Sequence, residues 1–146
     1  KAAHRCYLAV VHGNIKEESG KICGAIGRHP TDRKKMAIVA ENGKEATTLF
    51  RVLERFGEYT LVECPLLTGR THQIRVHMTY IGHPLVGDPK YGKRKSPFSI
   101  SGQALHSHTL TLKHPVTGRE MTFEAPLPDD MQRSLAILRK KQNRGV

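Results

Sequence analysis

The densest group of side chains suited to chemistry lies in residues 68–77, where five of ten side chains can carry charge or donate strong hydrogen bonds. Thr71 suits an N-cap position, so we expect a helix to begin there. On such a helix His72, Arg75 and Thr79 share one face, at i, i+3 and i+7. A guanidinium on that face suits an anion, either a phosphate or a carboxylate bound through two N–H groups. The alternative is an ordinary solvated helix face, which the charge pattern alone favours.

Histidine spacing gives little support for a metal site. His72 and His77 stand five residues apart, about 140° around a helix, and the segment lacks the Glu of an H-E-x-x-H motif. His106 and His108 can share one strand face, but two ligands without a third do not make a zinc site. We therefore expect no bound metal.

Nucleophile candidates are equally sparse. The serines stand in loops, outside the strand–turn–helix context of a nucleophile elbow. Cys6, Cys23 and Cys64 are far apart and fall in apolar strands, which predicts reduced, buried and inert thiols rather than disulfides. Asp88 stands between Gly and Pro, a sequence typical of a turn. The residues alone therefore indicate a basic domain with an anion-binding arginine and no convincing nucleophile.

The overall charge favours a polyanionic partner. The 146 residues include 24 Lys and Arg against 13 Asp and Glu, which gives a net charge of +11. Such a balance favours nucleic-acid phosphates, because neutralising them releases counterions. Trp is absent and aromatic residues make up 5% of the chain, too few for an extended base-stacking surface. One well-placed tyrosine can still serve a single flipped base.

Nothing in the sequence indicates export or membrane insertion. No apolar run approaches the roughly 18 residues that a membrane span requires. The basic start of the chain is not followed by the apolar core of a signal peptide. We therefore expect a cytoplasmic location and no membrane partner.

The hydrophobic pattern predicts an α+β fold, in which a mixed, largely antiparallel sheet is flanked by helices. Leu135, Ile137 and Leu138 of the last helix are expected to face the core. Residues 93–102, which are basic and rich in serine, are expected to form a mobile loop. The predicted strands are 6–11, 21–27, 35–39, 46–56, 58–67, 104–113 and 120–125, and the predicted helices are 73–81 and a C-terminal helix from Asp129.

Several short motifs follow one another over almost the whole chain. They are Tyr7-Leu8-Ala9-Val10-Val11-His12-Gly13, Ile26-Gly27-Arg28-His29-Pro30, Lys34-Lys35-Met36-Ala37, residues 68–77, residues 82–92, Gln103-Ala104-Leu105-His106, His114-Pro115 and Glu124-Ala125-Pro126-Leu127-Pro128. Both the motifs and their order resemble those of the RluA family of pseudouridine synthases, most closely its members that act on large-subunit ribosomal RNA. The pair at 68–77 and 82–92 is the most specific part of the resemblance.

The resemblance implies an enzyme that isomerises specific uridines in RNA, expected to be ribosomal RNA, to pseudouridine without a cofactor or a metal. In the family the target nucleotide is flipped into a pocket. An aspartate then attacks, and the base is detached and reattached through a different ring atom. Tyr7 matches the family's tyrosine that packs on the base and is a candidate for proton removal. Arg75 matches the arginine that pairs with the catalytic carboxylate.

Further residues are assigned to the RNA itself. Arg28, His29 and Arg33 stand in a basic loop that we expect to contact phosphates. Arg70 and His72 lie close to Arg75 in sequence. We expect them to contact the catalytic groups from outside the site and to bind RNA.

One feature of the family does not occur in this chain. The family's catalytic aspartate stands in a His-Arg-Leu-Asp segment followed by a Thr-Ser-Gly turn, and residues 1–146 contain no such segment. Asp32 and Asp88 occupy other family positions and do not replace it. We therefore expect the chain to be the C-terminal portion of a catalytic domain, with a pseudouridine synthase fold that is incomplete at its N-terminus. Alone, it is expected to be inactive.

Two other functions fit the sequence. A non-catalytic basic RNA-binding domain would explain the missing aspartate, although it would have no use for Tyr7 and Arg75. A structural ribosome-associated protein is suggested by the charge alone and predicts RNA binding without a preference for uridine. The sequence determines neither the target uridine nor the oligomeric state.

Overall fold

The architecture is an antiparallel sheet with helices packed against it, as the hydrophobic pattern predicts. The computed structural model describes residues 4–66, 68–70, 72–92 and 102–144. Within these ranges the elements are β1 (His4–His12), β2 (Ser19–Cys23), β3 (Ile26–Arg28), β4 (Met36–Ile38), β5 (Thr47–Arg55), β6 (Tyr59–Leu66), α1 (Gln73–Tyr80), β7 (Leu105–Lys113), β8 (Glu120–Glu124) and α2 (Asp129–Arg144). No helix in these ranges is both long and apolar enough to cross a membrane.

Strand β1 lies near the centre of a six-stranded sheet with the order β2-β5-β6-β1-β7-β8. Its side chains alternate between the two faces of the sheet. Ala9 and Val11 pack in a buried cluster with α1, whereas Leu8 and Val10 pack in a second cluster with α2. The two helices therefore cover opposite faces, and Tyr7, which packs against the first cluster, lies on the α1 face.

Three predictions about the elements are wrong in detail. Residues 21–27 do not form one strand, because β2 pairs with β5 whereas β3 leaves the main sheet and pairs with β4. Ile137 is exposed, since the buried face of α2 follows the helical period through Met131, Leu135 and Leu138. The N-cap of α1 is His72, and Thr71 itself lies outside the described residues, as do residues 93–101 of the predicted mobile loop.

Residues 26–38, which comprise β3, β4 and the loop between them, form an arm beside the main sheet. The arm packs on α1 through an apolar cluster of its own, in which Ile26 and Met36 contact Val76 and Tyr91. An isolated bridge between Ile26 and Lys44 ties the arm to the segment before β5. The arm carries three of the residues assigned to RNA from the sequence, with Arg28 at the end of β3 and His29 and Arg33 in the loop.

Candidate active site

Arg75 forms a buried ion pair with Asp88. Its Nε donates to Asp88 Oδ2 and its Nη2 donates to Asp88 Oδ1, both at 2.9 Å. The Arg75 side chain is 8% exposed and that of Asp88 is 0% exposed. The alternative of a solvated helix face is therefore wrong, and the anion that Arg75 contacts in this chain is a carboxylate bound through two N–H groups.

Asp88 is held ionised by the groups around it. Burial raises the pKa of this carboxyl, but hydrogen bonds from Arg75 and from the backbone N–H groups of Lys90 and Tyr91 outweigh burial, so its pKa lies below the usual range. Both oxygens are engaged, because Oδ1 accepts from Lys90 N at 2.9 Å and Tyr91 N at 3.1 Å as well as from Arg75. Asp88 thus forms a turn, as predicted, and has no free face for attack on a substrate.

A buried glutamine sets the geometry where α1 begins. Gln73 Oε1 accepts hydrogen bonds from the hydroxyl of Thr68 at 2.8 Å and from Arg70 N at 3.1 Å. Its Nε2 donates to Thr47 O and to Thr48 Oγ1, both at 2.9 Å. The oxygen of this amide therefore binds the segment that contains Arg70, and its nitrogen binds β5, so that the amide connects the two. This role of Gln73 cannot be predicted from the sequence, since neither its residue type nor its spacing signals it.

His72 stands just before α1 in a left-handed conformation, with a φ of 56°. Such a backbone costs a non-glycine residue roughly 1–2 kcal/mol. It places Nδ1 of His72 at 2.7 Å from the hydroxyl of Tyr91. Burial, followed by the positive charges of Arg75 and Lys90, lowers the pKa of His72. His72 is therefore a neutral hydrogen-bonding residue at neutral pH and does not share the helical face predicted for it.

One cavity brings together four of the seven residues assigned from the sequence, namely Tyr7, Arg70, His72 and Arg75. Its volume is about 150 Å³, and an apolar cavity of that order holds a ring the size of benzene. Tyr7 reaches it from β1 and the other three residues reach it from the start of α1. The remaining lining residues are Leu66, Gly69, Gln73, Ile74 and Leu105.

Two further cavities continue from this one along the arm. A cavity of about 340 Å³ shares Arg70 with the first and adds Arg28 and Lys44. A third, of about 670 Å³, shares Arg28 and adds Arg33. We call Arg33, Arg28, Lys44 and Arg70 the basic strip. Lys44 was not identified from the sequence, because it lies outside the basic loop and reaches the strip only through its bridge to β3.

The three residues of the arm that were assigned to RNA differ in their surroundings. Arg28 and Arg33 are exposed, and Arg28 Nη1 donates to the carbonyl oxygen of Arg33 at 2.9 Å. His29 is half-buried, and its Nδ1 accepts from Thr31 N at 3.2 Å and Asp32 N at 3.0 Å. His29 therefore orders the loop, and the two arginines present their charge to solvent.

Two of the three cysteines have raised pKa values, and two histidines of β7 contact the backbone. Burial raises the pKa of Cys6 to about 11 and that of Cys64 to about 12. Cys23 is exposed, contrary to the prediction, because it ends the edge strand β2. His106 and His108 both contact the carbonyl oxygen of Ala125. Among the described residues no three potential metal ligands lie together.

Comparisons with known proteins point to one family. The family model described as RNA pseudouridylate synthase matches residues 1–80, a range that includes all seven assigned residues. An uncharacterized RNA pseudouridine synthase of Bacillus subtilis is 56% identical over 140 residues, covering 96% of this chain. The ribosomal large subunit pseudouridine synthase D of Nitrosomonas europaea is 47% identical over 154 residues, covering 100% of it.

The fold comparison agrees with these matches. The solved structure of human RNA pseudouridylate synthase domain containing 1 superposes with a TM-score of 0.74 at 30% identity, covering 94% of this chain and 66% of that one. The chain spans less than half the length of the two bacterial relatives, 46% and 44%.

The ion pair predicts a pH-dependent stability. Asp88→Asn preserves the shape of the side chain but leaves the buried charge of Arg75 unpaired, which should lower the free energy of unfolding at pH 7 by about 3–5 kcal/mol. The folded-state pKa of Asp88 is depressed, so its contribution is present above the unfolded pKa of about 3.9 and is lost as the pH falls through the folded value. Urea unfolding at pH 7, 5, 4 and 3 should therefore show the difference shrinking only below about pH 4.

Asp129→Asn is the matched control, since it makes the same change at an exposed position. It should change the free energy of unfolding by no more than about 1 kcal/mol, the most that an exposed carboxylate in the first turn of α2 contributes through the helix dipole. If Asp88→Asn lowers the free energy of unfolding by the same amount at pH 3 as at pH 7, the role given to the ion pair is contradicted.

Proposed function

Since this chain belongs to the RNA pseudouridylate synthase family, within its RluA group, we propose that it carries one side of the site where a uridine in RNA is isomerised to pseudouridine. The observation that carries this proposal is the cavity shared by Tyr7 and Arg75. Its walls combine an aromatic ring and apolar side chains with a fixed positive charge. A flipped pyrimidine needs this combination, since its ring stacks while the charge serves the reacting groups.

The reaction exchanges one glycosidic bond for another. The bond between the sugar and N1 of uracil breaks, and a bond between the same sugar carbon and C5 forms. C5 loses a proton and N1 gains one, so no oxidant or reductant is required. In this scheme Tyr7 packs on the base while it turns and is the candidate to take up the C5 proton. The apolar walls from Leu66 and Leu105 keep water from the detached base.

Arg75 serves the catalytic carboxylate with the part of its guanidinium that Asp88 does not use. A guanidinium has five N–H groups, and Asp88 accepts hydrogen bonds from two of them. The remaining edge can pair with a second carboxylate, which would be kept ionised by that charge. Asp88 cannot be that group because it is fully buried and saturated, and Asp32 lies in the loop of the arm.

We propose that the second carboxylate is supplied by a segment of the intact enzyme that precedes residue 1. The share of the bacterial relatives that this chain covers leaves ample length for it. Residues 1–146 would then form the C-terminal portion of the catalytic domain, inactive without the upstream part.

The substrate we propose is RNA, and ribosomal RNA in particular, on the basis of the charge and of the names of several relatives. The basic strip leads from the loop of the arm to the cavity that holds Arg75. It presents Arg33, Arg28 and Lys44 at its outer part and Arg70 at its inner end. A strand of RNA lying along the strip would be held by its phosphates while one nucleotide turns into the cavity.

Arg75→Lys tests the catalytic role in the intact enzyme. Lysine keeps the positive charge but lacks the planar array of N–H groups with which an arginine binds a carboxylate bidentately on each of two edges. We expect kcat to fall by about 100-fold or more, as for the loss of one preorganised donor at a reacting centre. RNA affinity should remain within about threefold, since the phosphate contacts lie on the strip.

Arg51→Lys is the control for this substitution. Arg51 donates through Nε and Nη2 to Glu63, but on the exposed surface of the sheet. Turnover by Arg75→Lys that equals turnover by Arg51→Lys would rule out the proposed role of Arg75.

Arg33→Ala tests the basic strip. Loss of one phosphate contact should weaken RNA binding without regard to sequence and reduce the slope of log K against log salt by about 1. Arg133→Ala, on the opposite face of the sheet, removes the same charge and should leave the slope unchanged. Equal slopes for the two variants would remove the arm from the RNA path.

A further inference from the structure

Tyr91 makes four separate contacts that converge on the candidate active site. Its ring lies beneath the Arg75 guanidinium, with Cζ of Arg75 5.1 Å from the ring centroid. Its hydroxyl lies 2.9 Å from Met36 N and 2.7 Å from His72 Nδ1. Its own N–H donates to Asp88, the partner of Arg75. One residue therefore touches the arm, the start of α1 and both members of the ion pair.

The Tyr91 hydroxyl joins two parts of the chain. Met36 N–H can only donate, so the Tyr91 oxygen accepts from the arm. The bond to His72 Nδ1 takes the direction that the histidine tautomer sets, because a phenol oxygen can donate its own proton or accept a second hydrogen bond. In either tautomer the hydroxyl is bonded both to the arm and to the residue before α1.

The Arg75 guanidinium is confined by the same residue. Asp88 fixes one edge of the guanidinium in its plane, and the Tyr91 ring supports its face through a cation–π contact. A shift of Tyr91 would move the face on which Arg75 rests. Because Tyr91 is also bonded to Met36, a shift of the arm is transmitted to that face.

We propose that Tyr91 is a positioning residue that couples the arm, and the RNA held on it, to the orientation of Arg75. The inference rests on the proposed function, in that it gives the arm an RNA ligand. The hydroxyl and the ring of Tyr91 would keep RNA bound along the arm in register with the Arg75 charge at the reacting nucleotide. A misplacement of about 1 Å at a reacting centre can cost about 100-fold in rate, so such a register matters for turnover.

Tyr91→Phe isolates the hydroxyl, since the ring that supports Arg75 is retained. Tyr80→Phe is the matched control, because Tyr80 ends α1 and is 67% exposed. The first measurement is amide hydrogen exchange of the protein by NMR without RNA. We expect the Met36 amide to exchange about tenfold faster or more in Tyr91→Phe, because its acceptor is lost. The Lys35 amide, which donates to Asp32 O within the loop, should be unchanged.

The second measurement is steady-state kinetics of the intact enzyme on RNA. We expect Tyr91→Phe to lower kcat by about tenfold while KM stays within about twofold, because the phosphate contacts remain and the alignment is lost. When Arg33→Ala is already present, the further loss of the Tyr91 hydroxyl should lower kcat by less than about threefold, since RNA then holds the arm less firmly. A purely structural role would lower stability without this coupling.

Each outcome decides between these roles. Unchanged Met36 exchange in Tyr91→Phe would overturn the link to the arm. Tyr91 would be a structural residue only, and the positioning role would be overturned, if Met36 exchange is faster but the kcat of Tyr91→Phe equals that of Tyr80→Phe. The same conclusion would follow if the effects of Arg33→Ala and Tyr91→Phe on kcat are additive. Absence of turnover by the unmodified intact enzyme would contradict the proposed function and the positioning role with it, whereas the exchange data would still show whether the link exists.

A second readout does not depend on the folding of Tyr91→Phe. In the unmodified protein the Met36 amide should be protected from exchange and should show a nuclear Overhauser contact with the ring protons of Tyr91. A Met36 amide that exchanges as fast as an unprotected amide, or that shows no such contact, would overturn the proposed link.

Discussion

The buried ion pair between Arg75 and Asp88 is the constraint on which the rest of the site depends. Each charge would be costly to bury alone, so both side chains must be delivered to one point with little freedom. Helix α1 delivers Arg75, and the segment that follows the helix delivers Asp88. That segment is fixed by backbone bonds, since Val86 N donates to Val10 O and His83 N donates to Met78 O. The pair is thereby anchored to the central strand and to the helix at once.

The alternation of side chains along β1 explains why Tyr7 meets this pair. Odd-numbered residues of the strand face α1 and even-numbered residues face α2, so the tyrosine lies on the face that carries Arg75. The buried amide of Gln73 holds the segment containing Arg70 at the edge of the same cavity. The arm then extends the positive charge outward, away from the apolar walls. An aromatic ring, a buried ion pair and exposed positive charges thus follow one another along a continuous surface.

Much of the fold could be predicted from the sequence, and less of the site. Alternation and turn residues predicted both hairpins to within a few residues, because a strand with one buried face carries its period in the sequence. The separation of β2 from β3 could not be read in this way, since the choice of a pairing partner depends on distant strands. Ile137 is apolar but lies off the face of α2 that carries Met131, Leu135 and Leu138, so hydrophobicity alone predicts its burial wrongly.

The candidate site likewise contains residues that the sequence predicts and residues whose roles depend on contacts made only in the folded structure. The sequence alone predicted that Arg75 binds an anion, whereas the role of Tyr7 came from the family resemblance, and the two residues line one cavity. The partnership of Arg75 with Asp88 joins residues 13 positions apart in the chain, and no local spacing signals it. Tyr91 and Lys44 act through contacts with the arm, which become apparent only once the arm is folded against α1.

The most direct test of the central claim is the pseudouridine content of ribosomal RNA after incubation with the intact enzyme or with residues 1–146 alone, at matched RNA occupancy. Nucleosides from digested RNA can be separated and quantified for this purpose. We predict that both proteins bind the RNA and that only the intact enzyme forms pseudouridine. Binding without pseudouridine by the intact enzyme would make this a non-catalytic RNA-binding domain. Pseudouridine formed by residues 1–146 alone would place the nucleophile within this chain and contradict the role given to an upstream carboxylate.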